Sequence, residues 1–115
     1  MKKIIKTTDA PAPIGPYNQA ILSGNTLFIS GQIAINPVNG DIELSNIKDE
    51  TEQVMRNLKA ILEAADMNFE NVVKSSIFIS DMSNFAAINA VYGKYFDEAT
   101  APARETVEVA NLPKF

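Results

Sequence analysis

Hydrophobic and polar positions change period several times along this chain, and each change marks an element. "KKIIKT" is a short apolar run that predicts a first strand, stopped by "TTDAPAPIGPYN", whose three prolines and one glycine impose an irregular, stiff loop. "AILSGNTLFISGQIAI" follows as two apolar runs joined by Ser23-Gly24-Asn25, a hairpin in which Gly24 or Asn25 supplies positive φ. Asn39-Gly40 in "NPVNGDI" is a second turn signal. From about Lys48 to Ala65 the period becomes helical: Val54, Leu58, Ile61, Leu62 and Ala65 form one stripe, while Glu50, Glu52, Arg56, Lys59 and Glu63 occupy the rest. "VVKSSIFI" (72–79) returns to strand through its β-branched residues. "DMSNFAAINAVYGKYF" is a second helix, capped by Asp81 or Ser83, with Phe85, Ile88, Tyr92, Tyr95 and Phe96 on one side. "TAPARETVEV" (100–109) is the last strand, with Ala103, Val107 and Val109 on one face and Arg104, Thr106 and Glu108 on the other.

The order strand, hairpin, helix, strand, helix, strand predicts an α+β fold, a mixed β-sheet with two helices packed on one face. No linker, low-complexity run or repeat divides residues 1–115, so they form a single domain. The sheet face without helices needs cover, and a second subunit would supply it. At this length burial is limited by surface-to-volume scaling, which also favours assembly.

Composition narrows the functions. A hydrophobic fraction of 46% and a charged fraction of 21% belong to a folded globular chain. The formal net charge of −4, with no basic cluster beyond "MKK", disfavours nucleic acid and points to small-molecule partners. With no cysteine there is neither a disulfide framework nor a thiol nucleophile. The N-terminus lacks the apolar core of a signal peptide and no run reaches membrane-spanning length, so the expectation is a cytoplasmic protein.

Histidine is also absent, which removes the Ser-His-Asp and Cys-His arrangements, and no dinucleotide or P-loop glycine motif occurs. Chemistry must rest on arginine, tyrosine, lysine, carboxylates, hydroxyls, backbone groups and water. Arg104 is the leading candidate, because a guanidinium keeps its charge in a low-dielectric pocket and holds a carboxylate by two parallel hydrogen bonds. The alternative is a salt bridge from the strand edge to an aspartate or glutamate. Three further stretches stand out: Tyr17 after the Gly-Pro turn, Ser30-Gly31-Gln32 interrupting an apolar strand, and Asn89 in an otherwise apolar helix. Taken singly, each has a structural alternative: a loop anchor, a bulge and a solvent-facing residue.

Together, "APIGPYNQA", "LFISGQIAINPVNG", "NLKAILEAA", "VVKSSIFISDMSNFAAINAVYGKYF" and "APARETVEVANLPK" resemble, in order from Thr7 to Lys114, the signature blocks of the Rid (YjgF) family of reactive-intermediate deaminases. The resemblance implies a chorismate-mutase-like fold and a homotrimer whose sheets close a central β-barrel, with helices outside and clefts between subunits. It implies hydrolysis of enamines and imines such as 2-aminoacrylate, 2-iminopropionate and 2-iminobutyrate to 2-keto acids and ammonia. No cofactor or metal is implied, and the substrates would be released by pyridoxal-phosphate dehydratases.

On the same resemblance Arg104 is the carboxylate clamp, Tyr17 the pocket tyrosine, Ser30 and Gly31 the lining loop, and Asn89 the bordering helix asparagine. The backbone carbonyl of Thr106 would accept a hydrogen bond from the imine nitrogen; well-studied deaminases carry cysteine there, and a main-chain role tolerates threonine. These residues would meet across a subunit interface. Family members continue beyond "LPK" with a final strand of about ten residues bearing a glutamate that positions the hydrolytic water, so a sheet without that strand and a site without that glutamate are expected here. Glu108 occupies a different place in the pattern. A small-acid binding trimer without turnover is the alternative function. Ribonuclease or translation-inhibitor activity is disfavoured by the acidic balance and the lack of histidine.

Overall fold

The computed structural model describes residues 2–113. Three short strands open it, β1 (Lys2–Ile5), β2 (Ala20–Ser23) and β3 (Thr26–Ile29), paired antiparallel in that order. The β2–β3 turn has Gly24 at φ 60°, so glycine, not Asn25, supplies the left-handed residue. Helix α1 (Ile47–Ala64) begins at Asn46, whose side chain accepts from the Asp49 amide at 2.8 Å. It ends with Asp66 at φ 58°, where the Met67 and Asp66 amides donate to Leu62 and Glu63 carbonyls. Strand β4 (Lys74–Ile79), helix α2 (Phe85–Tyr92) and strand β5 (Ala103–Glu108) complete the chain, with β4 and β5 parallel. The crossover that a parallel pair needs is supplied by α2, flanked by 3₁₀ turns at 82–84 and 93–95.

The α+β class stands, but the single mixed sheet does not: among the described residues the ladders form two sheets, β1-β2-β3 and β4-β5. Beyond Ile29 one more bond continues the β2–β3 register, the Ser30 amide donating to Gln19 O at 2.9 Å, and the Ser30 hydroxyl donates to Asn18 O at 2.6 Å. The expected final strand concerns chain beyond Lys114 and lies outside the described residues. The second helix is shorter than its apolar pattern, since Asp81 caps the 3₁₀ turn at 82–84 and not the helix itself.

Helix α1 covers the antiparallel sheet. Ile61 is fully buried among Ile5, Ala10 and Ala20, with Leu22, Leu27 and Ile29 packed around them. Burying such a side chain contributes roughly 1.5–3 kcal/mol. The predicted stripe is corrected on the same helix: Val54 and Leu58 are half-buried, whereas Thr51, Gln53 and Asn57 are buried. Helix α2 buries Ile88, Val91 and Tyr92, and Ser75 of β4 meets the Tyr92 hydroxyl at 2.6 Å.

Opposite the helices, both sheets leave apolar side chains in the open. Ile4 and Phe28 share one face of the first sheet, being aligned through Ile21, and Phe78 pairs with Val107 on the second.

The 3₁₀ turn after α2 is pinned to α1. Glu52 accepts from the Tyr95 hydroxyl at 2.9 Å and pairs with Lys94 at 2.8 Å. Lys94 first, and Tyr95 next, hold the Glu52 carboxyl below its ordinary range and stabilise its charged form. A depressed folded-state pKa means stability present above the unfolded value and lost as pH falls through the folded one. Glu52→Gln is therefore expected to lower the thermal midpoint at pH 7 and to leave it close to wild type at a pH below the folded-state value. Melting curves across the acid range check this; a pH-independent difference would contradict it.

Candidate functional site

Strand alternation sends Arg104 and Thr106 toward α2, while Ala103, Glu105 and Val107 face away. The face carrying Ala103 and Val107 is thus the open one, and the face carrying Arg104 and Thr106 is the half-buried one. Phe85, Asn89 and Tyr92 stand at i, i+4 and i+7 on α2, one face of the helix, and receive the arginine. The guanidinium carbon lies 4.9 Å from the Tyr92 ring centre and 5.7 Å from that of Phe85, and Nη1 donates to Asn89 Oδ1 at 2.6 Å. Tyr92 is itself fixed by Ser75, the residue opposite Arg104 in the parallel register.

The salt-bridge alternative fails: Arg104 has no ion pair among the described residues. Its neighbour Glu105, on the outer face, pairs with Lys74 at 2.6 Å and accepts from Ser76 at 2.8 Å. Those two partners, Lys74 first, hold the Glu105 carboxyl below its ordinary range. Arg104 is therefore a cation on an aromatic platform, with no carboxylate partner among the described residues.

Thr106 lies two residues along the same face, and its buried Oγ1 has no hydrogen-bond partner among the described residues. A hydroxyl in that state costs about 1–3 kcal/mol. Thr106→Val keeps the shape and the β-branch, so it is expected to stabilise the fold by about 1 kcal/mol. Urea unfolding reads this directly, and a lower midpoint would count against the orphaned hydroxyl.

Tyr17, Ser30 and Gly31 occupy a different place. The loop 11–17 and the segment 31–35 wall a cleft of about 90 Å³, with Tyr17 and Gly31 in its lining. The Tyr17 ring folds back over Gly15, where an added Cβ would stand 3.3 Å from it, and the Ile14 amide donates to the Tyr17 hydroxyl at 3.3 Å. Gln19, buried at the end of the loop, accepts from the Thr7 amide at 2.7 Å and donates to Pro11 O at 2.8 Å. At Gly31 a Cβ would meet nothing within 4 Å, so this glycine relieves no clash among the described residues. Ser30 precedes Gly31 in the chain but is not in the lining, and its hydroxyl is given to Asn18 O.

The six candidates thus form two groups within one chain. Arg104, Asn89 and Thr106 share the α2–β5 side; Tyr17 and Gly31 line the cleft, with Ser30 next to Gly31 in the chain, and that lining includes none of the first three. Phe85, Tyr92 and Ser75 were missed as site residues. For Phe85 and Tyr92 the signal is in the spacing, because Asn89 falls between them on one helical face; Ser75 lies on β4 and has no such signal. Among the described residues no group of three or more histidine, cysteine, aspartate or glutamate side chains is placed to hold a metal ion, and no helix is long and apolar enough to cross a membrane.

Comparison with known proteins agrees with this architecture. The family described as Endoribonuclease L-PSP matches residues 7–115. A RutC family protein of Synechocystis is 56% identical over 97% of this chain and 87% of its own length. The mouse protein named 2-iminobutanoate/2-iminopropanoate deaminase is 41% identical over 99% of this chain and 84% of its own. The crystal structure of Escherichia coli TdcF with bound serine superposes with a TM-score of 0.91 at 43% identity, covering 97% of this chain and 89% of that one. The chain belongs to the Rid/YjgF/RutC family, the one described as Endoribonuclease L-PSP.

Proposed function

We propose that this protein is a 2-iminobutanoate/2-iminopropanoate deaminase, hydrolysing small 2-imino acids and their enamine tautomers to 2-keto acids and ammonia. The observation that carries the reading is Arg104, a guanidinium seated on Tyr92 and Phe85, tethered by Asn89 and without an ion pair among the described residues. The substrate carboxylate takes the free donors as a bidentate pair. That leaves the imine carbon, already electrophilic, held for attack by water. Water adds to the C=N bond, the C–N bond of the resulting tetrahedral adduct breaks as nitrogen takes up the proton, and ammonia leaves the 2-keto acid. The Thr106 carbonyl orients the imine N–H in this scheme.

Tyr17, Ser30 and Gly31 complete the pocket from a neighbouring subunit. The open apolar faces bearing Ile4, Phe28, Phe78 and Val107 are the contact surfaces of a homotrimer. A pyridoxal-phosphate dehydratase supplies the substrate.

The test is a coupled assay in which a purified dehydratase generates 2-aminoacrylate from serine and imine loss is followed with and without this chain. Acceleration proportional to the added protein supports deaminase chemistry, and none from a folded oligomer rejects it. The serine bound in the TdcF structure favours one alternative, a carboxylate-binding protein without turnover. Saturable binding of 2-oxobutyrate with no acceleration would select it. Ribonuclease activity finds little support in a chain with net charge −4 and no histidine.

A further inference from the structure

Asn57 lies in the middle of α1 and is fully buried. A buried amide is costly unless its donors and acceptor are met, and here they are met by a particular piece of backbone. Its Nδ2 donates to Ile33 O at 3.1 Å and Ile35 O at 3.0 Å, which uses both protons. Its Oδ1 accepts from Gln53 Nε2 at 2.9 Å, and Gln53 Oε1 in turn accepts from Arg56 Nη2 at 3.2 Å. The amide is therefore fixed in rotation as well as in place.

The segment it grips is tied at both ends by backbone: the Ser30 amide donates to Gln19 O at 2.9 Å, the Glu43 amide donates to Ala34 O at 2.8 Å and Ile35 bridges Ile42, while residues 31–33 between them lie in no ladder and their local bond is the tight one from the Ile35 amide to Ile33 O at 2.8 Å. Yet 31–35 form one wall of the cleft that Tyr17 faces. We propose that Asn57 is a positioning residue: from the helix layer it sets the 31–35 wall, and with it Gly31, at the distance from Tyr17 that the pocket requires. The effect on catalysis rests on the deaminase reading; the effect on the wall does not.

Three variants in the full chain separate positioning from plain stability. Asn57→Leu keeps the bulk and removes both donors; Gln53→Leu keeps the donors and frees the amide to rotate. Ile61→Val trims a fully buried residue one turn further along α1, in the core cluster that does not include 31–35. For each, kcat and KM toward 2-iminopropionate, the thermal midpoint and the backbone amide resonances of Gly31 and Gln32 are measured.

Asn57→Leu is expected to lower kcat/KM about tenfold to a hundredfold with shifted Gly31 and Gln32 resonances. Gln53→Leu should do the same to a smaller degree, and Ile61→Val should lower the midpoint while leaving kcat/KM and both resonances as in wild type. A folded Asn57→Leu within about twofold of wild type, or a parallel fall in Ile61→Val, overturns the proposal. If Asn57→Leu does not fold, unmoved resonances in Gln53→Leu overturn it. If the wild type itself turns over no imine, the deaminase reading fails alone, and the resonances still decide whether Asn57 sets the wall.

Discussion

Arg104→Ala is expected to lower kcat/KM for 2-iminopropionate by about 10²–10⁴-fold, the loss of two charge-assisted hydrogen bonds at roughly 1.5–3 kcal/mol each. Arg104→Lys should retain part of that, since it keeps the charge and loses the planar fork and its stacking on Tyr92. The fold should persist with a lower melting midpoint, because among the described residues Arg104 makes one side-chain hydrogen bond, to Asn89, and two ring contacts, each worth about 1 kcal/mol. Steady-state kinetics beside a melting curve checks both halves of the expectation. Full activity in Arg104→Ala would remove the clamp, and with it the present account of how substrate is held.

The second large effect is on assembly. Phe78 is 54% exposed on the open face of the parallel sheet, beside Val107, and no helix covers it. If this face meets another copy, Phe78→Glu replaces an apolar contact worth roughly 1.5–3 kcal/mol with a carboxylate that has lost its water, in every subunit of the ring. Light scattering coupled to gel filtration should then read a trimer for wild type and a monomer for the variant. Deamination should disappear with the trimer, because Tyr17 and Gly31 would no longer stand opposite Arg104. A variant that stays trimeric and active would place the subunit contact elsewhere.

Much of this was legible in the sequence because it depends on near neighbours. The β2–β3 hairpin, the Asn39-Gly40 turn with Gly40 at φ 77°, and the helix that begins after Asn46 are each set by a handful of adjacent residues. What was not legible depends on tertiary partners. Gln53 and Asn57 look like surface positions in a helical pattern and are buried because they bind each other and the 33–35 backbone. Val107 of β5 looks like a core residue and is open, because the helix that covers the strand takes Arg104 and Thr106 instead. The candidate site followed the same division. Its residues could be named from motifs, but their separation into an arginine platform and a cleft is a property of the folded chain.

The two ladders also differ in how soon they can form. Strands β2 and β3 are joined by a two-residue turn, so their pairing closes almost no loop and belongs to the microsecond events of hairpin formation. Strands β4 and β5 pair only after residues 80–102 have been brought round as a crossover, which carries a larger loop-closure entropy and raises the contact order of that half. The hairpin next to the cleft needs only near neighbours, its 31–35 wall needs α1 docked as well, and Arg104 with its platform needs the crossover. Local contacts thus favour the hairpin pairing before the arginine is set in place.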